Sequence, residues 1–172
     1  MKASKKDNKP SKESLIEEVR CFRQQQKSLI LSSLSPDNVP LASYAPFIED
    51  EQGNFYLLLS GLASHSINLQ YHQSKQLVCS ILLIEDEQTA RNIFARKRLS
   101  YNCQVNSWSR EHPQWQEKIN TLQDKFGKTI EVLASLGDFK IYCLSPIAGQ
   151  YVRGFGQAYK LKNALIPELI TV

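Results

Sequence analysis

Between Arg98 and Val105 apolar and polar residues alternate strictly, with Leu99, Tyr101, Cys103 and Val105 on one side and Arg98, Ser100, Asn102 and Gln104 on the other. Successive Cβ atoms of a strand point to opposite faces, so this pattern predicts a strand with one dry and one wet face. Apolar runs bounded by turn residues predict further strands at Lys27–Leu34, Val39–Ile48, Phe55–Ser60, Leu77–Glu85, Phe139–Leu144 and Gln150–Leu161. Ser35-Pro36-Asp37-Asn38 reads as a hairpin turn. A helical period appears in three places. Leu15, Ile16, Val19 and Phe22 predict a helix over Ser14–Gln26, opened by a capping box from Ser14 to Glu17. Trp115, Ile119, Leu122 and Phe126 predict a second, and Ser64–Tyr71 a short third. Six or seven mostly antiparallel strands with helices in the connections predict a mainly β (α+β) chain, a closed or split antiparallel β-barrel with peripheral helices. Gly154 and Gly156 flank Phe155 inside the last predicted strand and mark a bend or a close approach there.

A chain of 172 residues suits one domain. Its formal charge of +4 resides in the first twelve residues, where five lysines face Asp7. Residues 1–12 therefore read as a flexible basic tail, and residues 13–172 as a formally neutral domain. Neutrality argues against a nucleic-acid-binding face spread over the domain. Neither an apolar leader core nor a membrane-length run is visible, so a cytoplasmic protein without a membrane partner is expected. Cys21, Cys79, Cys103 and Cys143 show no Cys-x-x-Cys or zinc spacing and read as reduced thiols. His65 and His72 stand two helical turns apart, roughly 10 Å along the axis, too far to share one metal ion. No metal site or catalytic group is assigned.

The chemistry suggested by the chain is anion binding. Leu57 to Gln70 is an apolar run that breaks at Ser60-Gly61 and restarts with helical spacing. Ser60, Ser64 and His65 thereby come to a helix start, whose free N–H groups and dipole favour negative charge. His65 is either a donor to that anion or a solvent-facing helix residue. Farther on, Arg96 and Arg98 stand two apart; in a strand they would share a side and could clamp a phosphate, or simply form an exposed strand end. Lys97 would point the other way.

The order Ser60-x-x-Ala63-x-His65-x-x-Asn68-Leu69, apolar strand, Ala95-Arg96-x-Arg98-Leu99, followed by Gly154-Phe155-Gly156-Gln157-Ala158, resembles the FMN-binding split-barrel proteins related to pyridoxamine 5'-phosphate oxidase. The resemblance runs from about Lys27 to Leu161 and is greatest to the haem-utilisation branch. It implies a homodimer with two equivalent cofactor sites across the subunit interface. FMN is the implied cofactor, with haem as the other candidate. The site residues it implies are Ser43 and Tyr44 beside the ring or phosphate, Ser60, Ser64 and His65 on the phosphate side, and Arg96 and Arg98 as the clamp. Asp138 matches an acidic position of the branch or is a strand-entry turn residue. Haem-degrading members ligate iron through a histidine near the C-terminus, and Leu165–Val172 contains none, which counts against haem oxygenase chemistry. Haem would then rely on His65 or His72, or on propionates at Arg96 and Arg98. Two classes remain: an FMN-dependent oxidoreductase or haem-utilisation protein, and a non-catalytic haem- or flavin-binding or storage protein.

Overall fold

The structure is a computed structural model describing residues 10–162 and, for the backbone, 166–168. In chain order the elements are α1 (Lys12–Gln24), β1 (Ser28–Leu34), β2 (Pro40–Pro46), β3 (Ile48–Glu49), β4 (Phe55–Ser60), α2 (Ser64–Lys75) and β5 (Cys79–Ile84). A single 3-10 turn (Ile93–Ala95) precedes β6 (Arg98–Trp108), α3 (Trp115–Phe126), α4 (Thr129–Ser135), β7 (Phe139–Gly154), β8 (Gln157–Lys162) and β9 (Ile166–Glu168). All strand pairs are antiparallel, in the order β2-β1-β5-β6-β7-β4-β3, with β8 on β7 and β9 on β8. This is the α+β split barrel that the pattern predicts.

The barrel interior is filled from the inner faces of β1, β4, β5 and β6, where Leu29 and Leu31, Phe55, Leu57 and Leu59, Ile81 and Leu83, Leu99, Tyr101 and Cys103 are all buried. A second core explains why β4 reads as an unbroken apolar run. Its other face, Tyr56 and Leu58, is covered by Trp115, Ile119 and Leu122 of α3 and Ile130 of α4. The helices α1 and α2 close opposite ends. Leu15, Val19 and Phe22 of α1 join the barrel core, and Tyr151 near the end of β7 donates to Glu18 at 2.9 Å. At the other end, α2 places Asn68 on Ser33 (3.1 Å) and Gln73 on Ser107 (2.7 Å).

Several boundaries differ from expectation. Ser11, not Ser14, caps α1 by accepting from the Ser14 amide at 3.2 Å, so the end of the expected tail belongs to the helix. Residues 1–9 lie outside the described part. The predicted Val39–Ile48 strand splits at Phe47, which turns inward and is fully buried. Residues 139–154 form one strand, because Pro146 sits beside a bulge where the register with β6 shifts and costs the ladder little. Gly154-Phe155-Gly156-Gln157 is a hairpin turn between β7 and β8, with Gly156 at φ 66°, rather than a bend within a strand.

Candidate functional site

At one end of the barrel, Ser60 ends β4 and its hydroxyl donates to Asp138 at 2.5 Å. The Gly61 amide donates to the Asp138 carbonyl at 2.7 Å, and a Cβ on Gly61 would stand 2.8 Å from that oxygen. This pins the turn that launches α2. Ser64 and His65 open the helix, and no side chain caps it. Partial burial lowers the His65 pKa and favours the neutral imidazole.

Arg96 and Arg98 lie at the other end. Ser60 pairs with Phe139 at the start of β7, whereas Arg98 pairs with Val152 near its finish, about 40 Å of extended chain away. A single chain therefore does not bring the two halves together. The arginines also differ from each other. Arg96 precedes β6 rather than lying in it; its Nε donates to the Glu85 carbonyl at 2.7 Å and its Nη1 to Glu87 at 2.8 Å, with the side chain only 15% exposed. Arg98 projects from the outer face, and its hydrogen bond is to the Arg96 carbonyl at 3.3 Å. No carboxylate lies within 4 Å of it among the described residues. Lys97 turns to Glu18 at 3.6 Å.

Ser43 and Tyr44 are consecutive on β2 and face opposite ways. Ser43 pairs with Leu31 and points into the barrel, where its hydroxyl is buried without a partner among the described residues. Tyr44 is 68% exposed on the outside. Both cannot line one ligand within this chain. Tyr44 does begin a row in register across five strands, Tyr44, Ile30, Leu82, Ser100 and Gln150, all on the outer face. Arg98 lies one pleat along from Ser100. The row is apolar on β2, β1 and β5 and becomes polar on β6, where Arg98 stands beside it.

Of the other histidines, His72 is removed from the set available to a ligand. It is buried, and its Nε2 accepts from the Leu34 amide at 3.0 Å. His112 stacks on Trp108 with ring centres 3.8 Å apart. The structure adds two aromatic residues the sequence reading did not assign, Phe94 and Phe155, both exposed beside Arg98. For Phe155 the signal was an aromatic residue between two glycines; Phe94, between Ile93 and Ala95, carried none. Among the described residues no cluster of three His, Cys, Asp or Glu side chains could hold a metal ion. Among the described residues, no helix is long and apolar enough to cross a membrane.

Comparison with known proteins now decides the family. The family model described as pyridoxamine 5'-phosphate oxidase matches residues 15–153. This chain belongs to that family. It is 37% identical over 146 residues to "Heme oxygenase HutZ" of Vibrio cholerae serotype O1, covering 85% of this chain and 80% of the relative. A crystal structure of HutZ, there described as the heme storage protein of Vibrio cholerae, superposes with a TM-score of 0.69 at 35% identity, covering 76% of this chain and 88% of the other. Campylobacter jejuni ChuZ shares the fold at a TM-score of 0.82 and 24% identity, over 94% of this chain and 64% of that one. The family thus carries a haem-utilisation branch, and the chain lies with it.

Proposed function

We propose that this protein is a haem-handling member of the pyridoxamine 5'-phosphate oxidase family, acting as a homodimer in the cytoplasm. The observation that carries the reading is the outer-face row of Tyr44, Ile30 and Leu82, leading to Arg98, which has no carboxylate partner among the described residues. A flat apolar ring with an anionic arm matches that face, and the two descriptions of the 37% identical relative, an oxygenase and a storage protein, both concern haem. The separation of the candidate half-sites supports the dimer: in one shared site, Ser60, Ser64 and His65 would meet Arg98 through a second copy. In the haem complex Arg98 would hold a propionate. His65 is the described histidine left for the iron, since His72 and His112 are engaged, and its depressed pKa keeps the ligating neutral form.

FMN is the second reading, favoured by the family match and by the uncapped start of α2, where a phosphate finds free N–H groups. Bound there, FMN would supply redox chemistry while the chain supplies anchoring and orientation. The test is the absorption spectrum of the purified protein, then of protein titrated with hemin and with FMN. A strong Soret band after hemin supports the haem reading; a yellow protein that binds FMN and ignores hemin overturns it. Incubating the hemin complex with ascorbate and oxygen separates an oxygenase, which bleaches the Soret band, from a storage protein, which keeps it.

A further inference from the structure

We propose that Phe94 and Phe155 form an aromatic clamp beside Arg98, which takes a planar aromatic ligand carrying a carboxylate or phosphate arm. The inference rests on the cofactor reading above and names the side chains that would hold the ring. A cavity of about 590 Å³ lies on the outer sheet face, floored by Leu82, Ser100, Gln150 and Val152 and bordered by both phenylalanines. That volume is in the range of small-molecule and cofactor sites. Phe94 is 83% exposed and Phe155 69%. Two phenylalanines held in water have no polar atom to satisfy, and each gains apolar contact only when something covers it.

Both rings are presented by fixed backbone. The Phe94 amide donates to the Asn92 side chain at 2.9 Å, and the neighbouring Arg96 ties the same connection to Glu85 and Glu87. Phe155 stands at the tip of the β7–β8 hairpin, whose turn is set by Gly156. The two connections adjoin, since Asn92, Ala95 and Phe155 border a second, smaller cavity. Charge selects the ligand. Arg96 is paired with Glu87, and Lys97 and Arg153 with Glu18, while among the described residues no Asp or Glu lines the cavity and Arg98 is its cation. Shape and charge together specify a flat ring between the phenylalanines with its anion on Arg98. A haem propionate and a flavin phosphate share that chemistry.

Hemin and FMN titrations of the full chain, read by absorbance and by quenching of intrinsic fluorescence, test the clamp. The variants are Phe94→Ala with Phe155→Ala, Arg98→Ala, and Val132→Ala as an exposed apolar control on α4. For the ligand that binds, the double phenylalanine variant should lose roughly tenfold in affinity, since it removes both aromatic contacts to the ring. Arg98→Ala should weaken binding of the same ligand, and the control should not. Loss for hemin alone identifies a tetrapyrrole site, and loss for FMN alone a flavin site. Wild-type protein that binds while the double variant binds equally well overturns the clamp and leaves the cofactor reading intact. Wild-type protein that binds neither probe overturns both. If sedimentation shows that the double variant falls apart into monomers, the rings cover a subunit contact and the clamp is wrong.

Discussion

Individual residues show where close packing leaves no latitude. Gly149 faces Tyr101 inside the barrel, and an added Cβ would overlap the Tyr101 ring and stand 2.8 Å from the Ser100 carbonyl. Gly149→Ala should therefore destabilise the protein by about 1–3 kcal/mol, read as a lower denaturant midpoint at unchanged slope. His65 supplies a pH dependence with a definite sign. Burial holds its folded-state pKa below the ordinary 6.5, so at lower pH the unfolded chain binds the proton more readily than the native one. Its contribution is absent at pH well above 6.5 and becomes destabilising as pH falls through that value. Denaturant midpoints measured on both sides of pH 6.5 should converge in His65→Gln relative to wild type. A variant that keeps the full wild-type difference would show that other groups carry it.

At the level of elements, α1 is fastened to the barrel by two ionic contacts of different character. Glu18 meets Arg153 at 2.9 Å and Lys97 at 3.6 Å with partial solvent access, a contact worth little once screened. Arg23 is buried and donates to Glu49 at 2.8 Å, and it also interacts with Tyr101, whose hydroxyl is pushed up to about 12 mainly by burial. Removing one partner strands a buried charge. Glu49→Ala should cost about 3 kcal/mol, the lower end for a broken buried pair because Tyr101 still faces the guanidinium. Arg23→Met combined with Glu49→Leu should recover most of that loss, and a double-mutant cycle by chemical denaturation measures the difference. Lys125 ties α3 to the same edge of the barrel, donating to the Phe47 carbonyl at 2.9 Å and to the Gln26 carbonyl at 3.2 Å.

For the molecule as a whole, α1 and α2 occupy opposite ends of one barrel; Ser64 and His65 open α2 at one end, and Arg98 begins β6 at the end that α1 closes. The proposed dimer therefore predicts about twice the chain mass in sedimentation at micromolar concentration. It also predicts that cofactor affinity falls on dilution below the dimer dissociation constant, by mass action. A monomer that binds cofactor at full stoichiometry would contradict it.

Elements with a complete local signal were legible in the chain. The alternation from Leu99 to Val105 appears as the inner and outer faces of β6, and Leu15, Val19 and Phe22 form the buried stripe of α1. Ser60, Ser64, His65 and Arg98 could be named from the sequence as candidate anion ligands, because that chemistry depends on side-chain type. Continuity of β7 through Pro146 was not legible, since a bulge that tolerates proline depends on the partner strand. Nor was α4, seven residues whose single buried side chain gains its burial from a second core built by α3 and β4. The difference between Arg96 and Arg98 is also tertiary: both carry the same charge, and only the position of Glu85 and Glu87 decides which guanidinium is already satisfied. Local periodicity determines which faces are dry; only folding sets which charges meet, and so which of them remains for a ligand.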